Sequence, residues 1–404
     1  MIDKKLAQKL ITILATLLAI SLPISRAGIN IFGFLIFVVW ILEENLVEKV
    51  KLLIKNRFTL SLIIFLLYQI IALLWVTPNN LTNAIDYSFK YVYFLIVLVL
   101  YTSFNPKKIN YLIYGFLFGM LITTLESISI YFHLSNIHEI NKYSLSPHMW
   151  HTIYSIFLAF TSLITLLFLL HNKNRKEFAI SIVLFFLSTT ILLLGIGRTG
   201  QTIFAFGLVL IVIIQYGFKL KYIMSILLLI IISFITLYNQ NHIFKERVDI
   251  IKNDISSIDK RDDYCSSIGG RIFTWHVAYD VFNKEPMLGL GASDHTDFLE
   301  KAKDNDDKFS TCNIRDLISY YHSQYIELIT QSGIVGLISL LYIFYSLLKL
   351  QIEDKTTNDI KIILIFVFLT SFLVDVPFRK MFTLALFAIF SSIVAIKYKD
   401  ENRL

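Results

Sequence analysis

Apolar residues in this chain fall in continuous runs of roughly 16–24 residues, parted by short charged or polar breaks. Such a run is long enough to cross about 30 Å of hydrocarbon as a helix at 1.5 Å per residue. Backbone groups in lipid are satisfied only within helices or closed barrels. The runs do not alternate as barrel strands do, so they predict helices. Expected spans cover 9–25, 28–42, 58–77, 85–103, 109–132, 150–170, 178–196, 201–217, 220–238, 323–350, 360–375 and 381–397. None reads as a cleaved signal peptide, since the first lacks a small-residue cleavage site and leads into further spans. The composition agrees: 56% hydrophobic, 17% charged, with a mean hydropathy of +0.65.

Sidedness follows from the basic residues, which collect in cytoplasmic loops. With the N-terminus inside, the short outer segments hold only Arg26, Lys90, Lys142, Arg198, Arg379 and Lys380. The inner segments hold more than three times as many, among them Lys4, Lys5, Lys9, Lys107, Lys108, Lys397 and Lys399. Both termini are therefore expected in the cytoplasm, in an inner-membrane protein facing the periplasm. The expected organisation is helices one to nine over 1–238, one large periplasmic loop over 239–322, and three helices with a tail over 323–404. The net charge of +7 reflects this topology rather than a nucleic-acid footprint. Both cysteines, Cys265 and Cys312, fall in the large loop, where an oxidising compartment permits a disulfide.

Lipid-facing helices need no polar chemistry, so the informative residues sit at the outer ends of spans. Gly195-Ile196-Gly197-Arg198-Thr199-Gly200-Gln201 holds an arginine at a glycine-rich turn, against the positive-inside bias. Gly269-Gly270-Arg271 opens an expected amphipathic helix with Ile272, Trp275 and Tyr279 on one face. Pro286-Met287-Leu288-Gly289-Leu290-Gly291 follows as a glycine-rich turn. Tyr320-Tyr321-His322-Ser323-Gln324-Tyr325-Ile326-Glu327 enters the next span and continues to Gly333 and Gly336. His133, His138, His148 and His151 cluster near another outer loop, but no HExxH-like pattern accompanies them, so structural or substrate contacts are expected rather than a metal site. Asp262-Asp263 and Asp306-Asp307 read as solvated loop sequence, and Asp375 with Arg379 as a local ion pair.

An outer-turn arginine, a loop-helix arginine and a histidine entering the span after the loop, in that order, resemble the O-antigen ligase and polymerase superfamily. The match is carried by residues 190–340. The resemblance implies an all-α polytopic membrane protein of about 12 transmembrane helices with one large periplasmic loop, of the GT-C glycosyltransferase type. It also implies transfer of a glycan from an undecaprenyl-diphosphate carrier to a sugar hydroxyl of lipid A core, inverting and without metal or other cofactor. His322, Arg198 and Arg271 are the expected catalytic residues. Arg26, Tyr321, Gln324 and Trp275 are the expected substrate contacts. Polymerisation of repeat units and O-glycosylation of protein share this framework. An oligosaccharyltransferase is expected to carry further soluble sequence after the last span, where Tyr398–Leu404 follow here. From another class, a lipid-linked glycan flippase or transporter is expected to place ionisable groups near mid-span; Glu126 is the main such residue here.

Overall fold

The structure, a computed structural model, describes residues 2–134, 145–171, 174–240, 242–261, 265–306, 309, 312 and 318–402. Every expected span contains helix. In chain order the helices are α1 (Lys4–Ser21), α2 (Arg26–Leu42), α3 (Leu46–Lys55), α4 (Arg57–Ile71), α5 (Leu81–Phe89), α6 (Leu95–Ser103), α7 (Ile109–Tyr131), α8 (His151–His171) and α9 (Arg175–Leu194). They continue as α10 (Arg198–Tyr216), α11 (Leu220–Gln240), α12 (His242–Arg261), α13 (Ser267–Lys284), α14 (Asp294–Asn305), α15 (Gln324–Leu348), α16 (Lys355–Ser371) and α17 (Met381–Glu401). No strand occurs among the described residues; Ile2 and Glu43 form one isolated bridge. This is an all-α polytopic membrane protein. Nine stretches of the described residues are long and apolar enough to cross a bilayer unaided. α1, α2 and α16 are shorter or carry more charge, and they pack against those nine.

The helix ends follow local chemistry. Ser25, Asn56, Asn174, Ser266 and Asp354 each accept a hydrogen bond from the first turn of the helix they precede, satisfying amides that have no partner within the helix. α8 and α17 are the most enclosed spans, whereas α11 has no buried residue among those described. An aromatic cluster sits under one end of the bundle. There the fully buried Phe378 lies 4.9 Å from Phe372, 5.2 Å from Phe94 and 5.2 Å from Phe387, ring to ring. Phe378 belongs to the turn between α16 and α17, so this packing anchors that turn.

At the same end, α13 and α14, with described residues of the chain that follows as far as Tyr321, form a small core of their own, and α12 adjoins α13. Phe273, Val277, Leu299, Phe309, Ile318 and Tyr321 bury together, with Phe273 stacked on Phe309 at 4.1 Å. Cys265 and Cys312 are joined by a disulfide, with Cα atoms 5.0 Å apart. The apolar face expected for the helix at 271–279 is the outward one. Trp275 is 43% and Tyr279 66% exposed, and α13 packs instead through Phe273, Thr274, Val277 and Val281.

The chain between α13 and α14 plugs a break in α15. Gly333 adopts φ +63°, ψ −165° within that helix, so the helical ladder opens. The freed groups are taken up by 286–291. Leu290 N–H donates to the Thr330 carbonyl at 3.0 Å, and Gly291 N–H donates to Gln331 at 2.9 Å. In return Ile334 N–H donates to Pro286 at 2.9 Å, and Val335 N–H to Met287 at 3.3 Å. Broken helix at membrane depth survives only with such partners. Gly289 (φ +68°) completes the interlock. A Cβ there would stand 2.6 Å from the Gln331 carbonyl carbon.

Candidate active site

Four segments meet at the end of the bundle covered by α12–α14. The first is the turn before α10. Gly195 and Gly197 have ordinary negative φ, so left-handed backbone is not why glycine stands there. Close approach to α8 is the reason. Gly200 N–H donates to Ser155 Oγ at 3.0 Å, and a Cβ on Gly197 would lie 2.6 Å from that oxygen. Gln201 Nε2 closes the turn on the Leu192 and Gly195 carbonyls, both at 3.0 Å. Arg198 is thereby the exposed first residue of α10. A cation at a helix N-terminus is disfavoured by the dipole, but the two together attract an anion.

The second segment is the start of α13, where Ser266 Oγ accepts from Gly269 N–H at 3.1 Å. Arg271 follows, with its Nε buried and without a hydrogen-bond partner among the described residues. Burial pulls its pKa down, Asp375 opposes that shift, and the field of Arg198 adds to it. Arg198 and Arg271 are thus close enough to repel.

Third is the approach to α15. His322 has φ +53°, a backbone state uncommon for a non-glycine residue and frequent at functional sites. Its ring packs on Tyr320 with centroids 4.3 Å apart. Burial, then Arg271, push its pKa down to about 4, with Glu327 opposing and Lys380 adding. At neutral pH the imidazole therefore keeps a free lone pair.

The fully buried Glu327 holds this turn in place. Its Oε2 accepts from Tyr321 N–H at 2.9 Å. Its Oε1 accepts from Tyr87 Oη at 2.6 Å and Arg379 at 3.1 Å, and faces His295 Nε2 at 3.4 Å.

The fourth segment is the 372–380 turn. Arg379 sits 5.1 Å over the Tyr87 ring and 5.5 Å over Tyr320; Lys380 lies 5.1 Å over Tyr320. Burial works against the Arg379 charge, yet Tyr87, Glu327 and Tyr320 raise its pKa overall. The ion pair expected between Asp375 and Arg379 is not what forms. Arg379 reaches Glu327, while Asp375, its pKa raised by burial, lies in the field of Arg271 and Lys380. Arg26 stands at the margin, 5.7 Å over Phe382 and close enough to lower the Lys380 pKa.

Arg271 therefore stands beside His322, with Arg198 near Arg271 and Arg26 at the edge. Tyr321 and Gln324 are not open to a ligand. Tyr321 is fully buried and donates its hydroxyl to the His295 carbonyl at 2.8 Å. Gln324 is also buried, and its side-chain oxygen accepts from Phe378 N–H at 2.9 Å, tying the 372–380 turn to α15. Trp275 lies on the outward face of α13. Tyr320 is the aromatic residue that faces the cluster.

From sequence Arg379 was expected only to pair with Asp375, and Lys380 and His295 were given no role at the site. For Arg379 and Lys380 the signal was present, as cations on the side that carries few. His148 binds Glu126 at 2.7 Å, and His138 lies outside the described residues, as do Asp262, Asp263 and Asp307. Asp306 accepts from Phe309 N–H at 2.7 Å.

Arg26, Arg198, Arg271, Arg379 and Lys380 against Glu327 and Asp375 leave an excess of positive charge in a partly desolvated site. Fold and site together define a helical membrane protein with an anion-attracting cluster of cations at one end of its bundle, beside a neutral histidine. Residues 182–341 match the family model described as O-antigen ligase, a stretch holding Arg198, Arg271, His322 and the Gly333 interlock. That match supports the O-antigen ligase superfamily and, in general, a function of the ligase or polymerase type. The chain is also 24% identical over 370 residues to an uncharacterized protein of Haemophilus influenzae, covering 89% of each chain.

Proposed function

We propose that the protein transfers a glycan from undecaprenyl diphosphate to a sugar hydroxyl of lipid A core at the periplasmic face of the inner membrane. The observation that carries this reading is Arg271, its Nε unpartnered among the described residues, standing beside His322 and within the field of Arg198. In this reading the 239–322 segment is a periplasmic roof over the site.

Arginine forks match diphosphate oxygens, and the pair stabilises the charge that grows as the leaving group departs. The acceptor oxygen attacks the anomeric carbon while the carbon–oxygen bond to the diphosphate breaks. The electron pair leaves with undecaprenyl diphosphate, the hydroxyl proton passes to His322, and the anomeric configuration inverts. Burial and then the Arg271 charge hold the His322 pKa down, and diphosphate binding offsets the second of these. The base is therefore strengthened when donor arrives. The arginines supply the positive charge that a divalent cation supplies in many sugar-nucleotide enzymes.

The test is reconstitution with a lipid-linked oligosaccharide and three separate acceptors, namely lipid A core, a second repeat unit and a peptide. Product on lipid A core, unchanged by a chelator, is the expected result. Product only on the repeat unit or only on the peptide overturns the ligase assignment in favour of the corresponding sister activity. Arg198→Ala, Arg271→Ala and His322→Ala should each lower transfer by about 100-fold or more with insertion intact. Wild-type lipopolysaccharide ladders from all three would refute the site.

A further inference from the structure

The opposite end of the bundle, where both described chain ends lie, has a cavity of about 370 Å³ between the first turns of α1 and the start of α7. Lys5, Lys9 and Lys108 line its mouth, with Gln8, Asn105 and Tyr111 beside them. None of the three lysines pairs with a carboxylate among the described residues. Lys108 donates to the Tyr111 hydroxyl at 2.8 Å. Three like charges facing one concavity repel unless an anion lies between them.

Below the lysines the lining continues with Thr12 and Ile13. Lys5, Lys9, Ile13 and Leu17 succeed one another at a spacing of four residues, so they form one ridge that winds down α1, with Leu17 beyond the cavity. Ile13 is 48% and Leu17 38% exposed. Each step of four moves about 6 Å further into the bilayer. Cations above the exposed Ile13 and Leu17 side chains fit an amphiphile with an anionic head. A soluble phosphate would use only the mouth.

We infer that this cavity binds the headgroup of an anionic phospholipid, with an acyl chain laid along Ile13 and Leu17. The site is separate from the transfer chemistry, at the other face of the molecule. Basic pockets between transmembrane helices are known recognition elements for such lipids, each lysine near the surface contributing about fivefold in affinity.

The test uses the full chain in phosphatidylcholine nanodiscs, with labelled phosphatidylglycerol titrated in. Wild type should retain phosphatidylglycerol preferentially, and the preference should weaken with salt. The variant K5Q/K9Q/K108Q should lose about 100-fold, with the single variants stepping down about fivefold each. The control K51Q/K55Q removes exposed lysines of α3 on the same face but outside the cavity, and should bind as wild type does. Glycerol 3-phosphate should fail to displace the lipid. Unchanged retention in the triple variant overturns the inference. Equal loss in the control, or displacement by glycerol 3-phosphate, overturns it as well, the first in favour of general surface charge and the second of a soluble phosphate.

Discussion

Gly333→Ala and Gly217→Ala form a matched pair that separates backbone strain from the interlock of 286–291 with α15. Gly217 ends α10 at φ +72°, ψ −173°, close to the φ +63°, ψ −165° of Gly333. This region is almost closed to residues with a Cβ, so each substitution costs about 1–3 kcal/mol in strain. Their surroundings differ completely. A Cβ on Gly217 would meet nothing within 4 Å, whereas one on Gly333 would stand 2.5 Å from Leu288 N and nearer still to the Met287 carbonyl. Those are backbone atoms, so no rotamer change relieves the clash, and the segment must withdraw. Withdrawal breaks the four hydrogen bonds across the junction, at about 1 kcal/mol each. Gly333→Ala should therefore be destabilised by about 4 kcal/mol beyond Gly217→Ala. Unfolding of both variants in the same detergent, followed by tryptophan fluorescence, reads the difference. Equal losses would refute the interlock as a source of stability.

Arg379→Ala should cost about 3 kcal/mol, the low end for breaking a buried pair, because Arg379 is itself 20% exposed. Adding Glu327→Gln to that variant should restore part of the loss in the same unfolding assay, since no uncompensated charge then remains. Acidification supplies a further test. The folded-state pKa of His322, about 4, lies below its unfolded value near 6.5, so the unfolded chain binds more protons between the two. The contribution of this group is present above pH 6.5 and lost as pH falls towards 4. Unfolding midpoints over that window should drop less in His322→Gln than in wild type. Reducing Cys265–Cys312, 47 residues apart in sequence, should destabilise by up to about 4 kcal/mol; midpoints measured with and without reductant check it.

Much of the fold was legible because the bilayer demands it. A helix that crosses hydrocarbon must be apolar over a fixed length, so hydropathy alone marked each of the helical spans. Short helices outside the bilayer follow no such rule. α3, α5 and the α12–α14 segment depend on local packing, and the expected apolar face of α13 proved to be its outward one. The site was legible in its cations, since arginine on the sparsely charged side is an expense that topology does not explain. Arg198, Arg271 and His322 come from separate stretches of the sequence, and three unrelated contacts position them: glycines on Ser155, the Ser266 cap, and Glu327 beneath the His322 turn.

Sequence by itself determined the element type, the number of apolar runs and which residues carry unusual charge. These are local properties, settled by composition over a window the width of a membrane. Tertiary structure alone decided which aromatic residue faces the cluster. Tyr320 and Tyr321 are adjacent and chemically identical, yet the Glu327 bond to Tyr321 N–H turns one into the core and leaves the other beside His322. It also decided the partner of Arg379, which bypasses the carboxylate four residues away for one 52 residues distant. Charge pairing depends on distance through space in a low-dielectric interior, and only folding sets that distance.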